Sequence, residues 1–196
     1  MKKLLALFIL LGCTQVHAEP SWLNGGPDYS NNAPNMFYCA DLQGTPVTTQ
    51  AGLSATSPAL TIYNPYGSGV NLVLLEVGAD ITSSPAAAAG FSLAYSTGGV
   101  TTSTSAMIVP ANFANVQVST TPTTNLGKCY RVAALSNTPV AFRYIGGTTG
   151  ASAIGGVSLT DQTWGKVVIP PGMTVSFQST SAAAVVVDFL WREDPI

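Results

Sequence analysis

The most constraining feature of this chain is a run of two-residue alternation, interrupted by sharp turns, from Gly165 to Ile196. Val175 and Phe177 alternate with Thr174 and Ser176, the pattern of a strand that buries one face. Further on, Val185, Val187, Phe189 and Trp191 share one face and Val186, Asp188 and Leu190 the other. Both of those faces are mainly apolar, which places the last strand centrally or covers it on both sides. Pro170-Pro171-Gly172 stands between the segments ending at Ile169 and starting at Met173. Pro171 pre-sets φ for the second position of a type II turn, and Gly172 supplies the positive φ of the third. The reading is three strands joined by two tight turns.

The same grammar runs back along the chain. Ala59 to Tyr63 and Val70 to Asp80 read as strands flanking Asn64-Pro-Tyr-Gly-Ser-Gly69, a predicted hairpin. Phe91 to Tyr95 alternates as a strand, and Met36 to Ala40 reads as a short first strand. Ser84-Pro85 followed by Ala86 to Ala89 predicts at most one short helical turn. Thr97 to Ser105 reads as an exposed Gly/Thr/Ser loop, with strand candidates at Ala106–Val109 and Val116–Ser119. Lys128 to Leu135 and Val140 to Ile145 form a second predicted hairpin, and a glycine-rich loop, Gly146 to Gly156, leads to Val157-Ser-Leu159. With about eight to ten short strands and no long helical period, the fold class is all-β. The expected architecture is an antiparallel two-sheet sandwich of jelly-roll type over 59–196, preceded by an irregular arm with the first strand over 19–58.

The first eighteen residues read as targeting, not fold. Lys2-Lys3, the apolar Leu4 to Leu11 and Val16-His17-Ala18 follow the three-part order of a signal-like segment over 1–18. Leu10-Leu-Gly-Cys13 is a rival, a lipobox in which Cys13 would carry a lipid anchor, but Leu just before the Gly fits it poorly. Cleavage near Ala18 is the better fit, and it predicts an exported protein, periplasmic or secreted. It also removes Lys2, Lys3 and His17, leaving five basic against nine acidic residues, net −4. No apolar run reaches the ~18 residues of a membrane span, and an acidic chain offers no nucleic-acid footprint. Cys39 and Cys129 are then an even pair in an exported chain, read as a disulfide, with two separate buried thiols as the alternative.

Charged residues are only 8% of the chain, against the ~25% of ordinary soluble domains. A surface so poor in charge suits neutral polar cover or neighbouring subunits. Without histidine, the processed chain holds no Ser-His-Asp or Cys-His unit and lacks imidazole for zinc, so no catalytic residue, metal or cofactor is expected. Paired carboxylates for glycoside hydrolysis would come from Glu76, Asp80, Asp161, Asp188, Glu193 and Asp194, but nothing in the spacing brings two together. Glu76 and Asp188 interrupt apolar strands; the plain expectation is that they face solvent or pair with Arg131 or Arg143. Asp28 or Asp161 with loop carbonyls would be the start of a calcium site, without its ligand spacing. Gly146-Gly147 and Gly155-Gly156 open no helix and match no phosphate loop. Tyr63, Tyr66, Tyr95, Tyr144 and Trp164 are either a sugar-stacking surface or core.

Four stretches carry a resemblance: Leu60 to Leu72 (LTIYNPYGSGVNL), Ser84 to Gly90 (SPAAAAG), Ile169-Pro-Pro-Gly172, and Phe189 to Ile196 (FLWREDPI). They resemble small β-sandwich virion structural proteins of tailed phages and environmental viruses. The resemblance covers Leu60 to Ile196 and rests on turns and strand ends, and the signal-like N-terminus departs from it. It implies a non-enzymatic assembly protein located in the virion, with copies of itself or other virion proteins as partners. Trp22 and Tyr29 in the arm, and Trp191, Arg192 and Ile196 at the end, are the expected interface residues. The alternative is an exported binding module for glycans or a cell-surface partner.

Overall fold

In the computed structural model, residues 36–41, 46–49, 52–56, 58–83, 87–106, 113–114, 117–118, 126–149 and 157–196 are described, and none of these is helical. The strands among them are β1 (Met36–Ala40), β2 (Val47–Thr48), β3 (Leu60–Tyr63), β4 (Val70–Ile81), β5 (Ala89–Thr97), β6 (Val100–Ala106) and β7 (Phe113–Ala114). They continue as β8 (Gln117–Val118), β9 (Lys128–Leu135), β10 (Val140–Thr148), β11 (Val157–Ile169), β12 (Met173–Ser179) and β13 (Ala184–Pro195). One sheet has the order β1-β13-β4-β11, with β2 also on β13; the other has the order β10-β5-β12-β3-β9-β6; β7 and β8 pair with each other. All these pairings are antiparallel.

Four of the pairings define the topology. β1 pairs with β13, β3 with β12, β4 with β11 and β5 with β10. The first strand meets the last and each later strand meets an earlier one, as in a long hairpin rolled into two layers. That is the eight-strand jelly roll, which removes most sheet edges by doubling the sheet. Strands β6 and β9 are an insertion between β5 and β10, joined to the second sheet where β9 pairs with β3.

The rolled connectivity corrects three readings of the sequence. β3 and β4 lie in different sheets, as do β11, β12 and β13 in succession, and β9 and β10 pair with other strands. Neither predicted hairpin forms, and the C-terminal unit is not a three-strand meander. Alternation states that one face is buried; it does not state which sheet buries it. Val157 to Leu159 is not a separate strand but the start of β11, which continues through an irregularity between Gln162 and Val167. There Trp164 takes φ 53° and Gly165 φ 72°, so the strand bulges and resumes. Much of the Thr97–Ser105 loop is β6, Gly146 to Thr148 belongs to β10, and Ala89 begins β5 rather than ending a helical turn. Residues 84–86, the targeting segment 1–18 with Cys13, and the arm up to Asn35 lie outside the described residues, as do Met107 to Val109.

The core lies between the inner faces. β13 sends in Val185, Val187, Phe189 and Trp191, all buried, between β1 and β4. Phe37 meets Trp191 with ring centroids 5.8 Å apart, and Phe91 stacks on Phe177 at the same distance. Each such side chain contributes roughly 1.5–3 kcal/mol by leaving water. The Pro-Pro-Gly turn is as read: Gly172 has φ 84°, and Met173 N–H donates to Pro170 O at 3.2 Å. Gly172 does more than turn, because a Cβ on it would collide with the Tyr66 ring. Asn64, fully buried, donates to the carbonyls of both Val70 and Ile169 at 2.8 Å and so ties the crossing between sheets.

Two further ties join the sheets. Cys39 on β1 and Cys129 on β9 form a disulfide. Two residues along each strand, Arg131 Nε meets Asp41 Oδ1 at 2.9 Å, with the Asp41 side chain almost wholly buried. The disulfide closes a loop of 90 residues, which by chain entropy contributes about 4 kcal/mol. Replacing Cys39 and Cys129 together with Ser is expected to lower the unfolding free energy by about that amount. Urea unfolding followed by Trp fluorescence reads the change, and an unmoved midpoint would rule the constraint out.

Candidate functional site

Two concave regions stand out, one on the outer face of the first sheet and one along its free edge. The first is a groove of about 240 Å³ whose rim and floor include Tyr38, Glu76, Gly78, Asp80, Ser158 and Asp188. Register explains why they meet. Asp188 faces Gly78 across β13 and β4, and Gly78 faces Thr160 on β11; Glu76 and Asp80 lie one step to either side on the same face of β4. Gly78 is what admits the carboxylate, since a Cβ there would collide with Asp188 Oδ1. Tyr38, from β1, gives its hydroxyl hydrogen bond to Asp188, and Ser158 donates to Asp80.

Burial pushes the Asp188 carboxyl above the usual carboxylate range. The bond from Tyr38 draws it partly back, while the charge of Asp80 adds to the rise. Tyr38 also holds its proton past the ordinary tyrosine range, through burial first and then the charges of Asp188 and Glu76. Among the described residues no group of three or more His, Cys, Asp or Glu is placed to hold a metal ion. The groove gathers the carboxyl groups of Glu76, Asp80 and Asp188 beside the hydroxyls of Tyr38 and Ser158.

The second region is a groove of about 320 Å³ between the two sheets where both end. β11 is the last strand of the first sheet and β10 of the second. Tyr95 faces Val175 in register and so points between the layers. Phe142, displaced by a bulge between Ala141 and Arg143, meets Tyr95 at 6.1 Å between ring centroids. Met173 and Val175 form the floor, and Lys166 to Ile169 of β11, with Pro170 just after it, the far wall. Along the same two edges Arg143 and Asp161 close the gap with a two-pronged ion pair, Arg143 Nη2 to Asp161 Oδ1 measuring 2.7 Å. Among the described residues ten large apolar side chains are exposed, and six of them, Tyr95, Val140, Phe142, Tyr144, Trp164 and Val168, belong to β5, β10 and β11. Lone exposed apolar residues are ordinary; of these six, Tyr95, Phe142 and Val168 come together in the lining of the groove.

The expected site residues fare unevenly. Trp191 is fully buried, so its place is in the core and not at an interface; the C-terminal strand is central, and β1, not β13, is the edge. Arg192 is half-buried and binds Asp194 within its own strand, Nε to Oδ1 at 2.6 Å. Ile196 is exposed at the end of the chain. Trp22, Tyr29 and Asp28 lie outside the described residues. Glu76 and Asp188 were expected to face solvent or to pair with Arg131 or Arg143; the ion pairs these arginines form are with Asp41 and Asp161. Glu193 is buried and accepts the N–H groups of Leu126 and Gly127, the latter at 2.7 Å. Of the five aromatics considered for stacking, Tyr95, Tyr144 and Trp164 flank the open edges, while Tyr63 and Tyr66 belong to β3 and the crossing after it.

Sequence reading missed Tyr38 and Gly78. A lone glycine inside a long apolar strand is a signal of close approach, and that signal was present in Val77-Gly78-Ala79. No known protein family matches this chain, and neither a curated protein nor a solved structure is significantly similar to it. The two-sheet β-sandwich is the class that the fold defines.

Asp188 yields a prediction with a definite sign. Its folded pKa lies above the unfolded value, so the native state binds more protons between the two. Stability therefore falls as pH rises through that window, and the charged, half-buried carboxylate weighs against folding above it. Asp188→Asn is expected to raise the melting temperature near neutral pH and to remove this acid-side dependence, measured by thermal melts across the acid range. Gly78→Ala is expected to destabilise by about 1–3 kcal/mol through the clash with Asp188.

Proposed function

We propose that the chain is a non-enzymatic assembly protein, a virion component (capsid, decoration or tail-associated) that acts by associating with copies of itself. The observation that carries this reading is the apolar groove between the sheets, lined by the exposed Tyr95, Phe142 and Val168 with Met173 and Val175. A chain with 8% charged residues has few groups to keep such a surface apart from another one. The jelly roll recurs in viral capsids, which is a likeness of fold and supports the reading as analogy. Copies joined through a defined patch form closed symmetric oligomers.

A second reading is favoured by one observation, the Cys39–Cys129 disulfide, which belongs to oxidising compartments. In it the chain is an exported module that binds glycans or a cell-surface partner, with Tyr144 or Trp164 as stacking faces. The two readings part on mass. Light scattering of the native protein at micromolar concentration is expected to give an integral multiple of the 20.1 kDa chain, less any leader removed, and mass spectrometry is expected to find the chain in virion fractions. A monomer absent from such fractions overturns the assembly reading.

A further inference from the structure

We propose that the groove between β10 and β11 binds a free amphiphile with one negative charge, a long-chain carboxylate, with its tail between the sheets and its head group against Lys166. The proposal goes beyond the assembly reading and meets it at one point, for a tail seated in the groove keeps a second copy out of it.

The lining supplies the apolar half of that chemistry. Val167 and Ile169 turn inward from β11, Met173 and Val175 form the floor, and Tyr95 and Phe142 stand opposite. Tyr95 and Phe142 are 38% and 43% exposed in the folded chain, so the trough opens to water. Thr174 also lines it but is fully buried, and its hydroxyl donates to Ser96 O at 3.2 Å. At about 320 Å³ the trough falls at the small end of ligand sites, which span about 300–1,000 Å³ and are apolar apart from a few polar groups. Its wall from Lys166 to Pro170 is about 13 Å long at the rise of a strand. The Arg143–Asp161 pair comes next along both strands at one end, and the Pro170–Gly172 turn closes the other. Such a trough fits one short flexible chain.

Charge decides the head group. Lys166 is the only residue of the lining charged at neutral pH, and no Asp or Glu lies among the lining residues. The ion pairs among the described residues are Arg131–Asp41, Arg143–Asp161 and Arg192–Asp194, so Lys166 takes part in none and the charges beside the trough cancel each other. Nine acidic residues outnumber seven basic ones in this chain, yet none of them answers this cation. Alternation along β11 puts Lys166 and Val168 on the outer lip, above the buried Val167 and Ile169. A lysine there can lay its apolar stem along the wall and carry the ammonium over the trough. As a compact point charge on a flexible stem, the ammonium meets a carboxylate without requiring a fixed geometry. A cationic amphiphile would bury its tail beside a like charge, and an uncharged one would leave Lys166 unanswered.

The test sets two head groups on tails of like length, decanoate and decyltrimethylammonium, each below its micellar concentration. Isothermal titration calorimetry of the full chain is expected to show saturable binding of decanoate and weaker binding of the cation. Lys166→Glu, at an exposed site and with the fold checked by circular dichroism, is expected to raise the decanoate Kd by about tenfold or more and to lower that of the cation. A reversed preference is something that loss of folding alone does not produce. Phe142→Ser is expected to weaken both. No saturable binding, equal binding of the two head groups, or a decanoate Kd that Lys166→Glu leaves unchanged would overturn the proposal, while the assembly reading stands or falls by light scattering. Sedimentation with anionic phospholipid vesicles but no binding of monomeric decanoate would make the groove a membrane contact and overturn it too. A chain monomeric by light scattering that binds decanoate with the expected preference would support the proposal and count against the assembly reading alone.

Discussion

The structure depends on β13 being held along both edges. It runs beside β4 from Val185 to Pro195 and beside β1 from Asp188 to Arg192. Its inward side chains are the floor on which Phe37, Val77, Ala79 and Ile81 pack. Because it is the last strand and β1 the first described, the sheet is complete only when the two ends of the fold meet. Pairing of this kind closes a long loop before any contact rewards it, which slows folding. The Cys39–Cys129 bridge and the Asp41–Arg131 pair act at that point, anchoring β1 to the second sheet through β9.

Holding β13 at the centre moves exposure elsewhere. The sandwich keeps free edges at β1, β6, β10 and β11 among the described residues. β10 carries two bulges and β11 the Trp164–Gly165 bulge, and the groove holding Tyr95 and Phe142 lies between these two strands. Arg143 and Asp161 seal one stretch of the gap; the remainder is the apolar groove. On the outer face, Gly78 gives Asp188 a seat, and Tyr38 reaches it from the edge strand. The edge groove lies beside bulged strands and the outer-face groove in regular register, and both are outlined by side chains from three or more strands.

Legibility in the sequence followed the range of the interaction. The Val/Phe/Trp alternation of β13, the long apolar run of β4 and the Gly172 turn are local matters of period and φ, and they stand as read. The cysteine pair was legible too, by parity and compartment. The hairpins were not: Asn64 to Gly69 has the chemistry of a tight turn, yet it carries the chain from one layer to the other, tied by the buried Asn64 side chain. Trp191 was misjudged for a related reason, since a tryptophan near a chain end reads as exposed until another strand is known to flank it. Glu76, Asp80 and Asp188 share a groove through register alone, and no spacing in one dimension encodes it.

By itself the sequence determined the class: alternating apolar faces, short strands, turn residues and the lack of any long helical period admit an all-β sandwich and little else, because each strand must bury a face. The tertiary structure decided which strands are neighbours and which edges stay open. Those outcomes depend on pairing between residues as far apart as Met36 and Arg192, chosen by the summed packing of both layers and not by any segment's own preference. The apolar groove is of this second kind, for Tyr95, Phe142 and Val168 meet only once β5, β10 and β11 have taken their places in the two sheets.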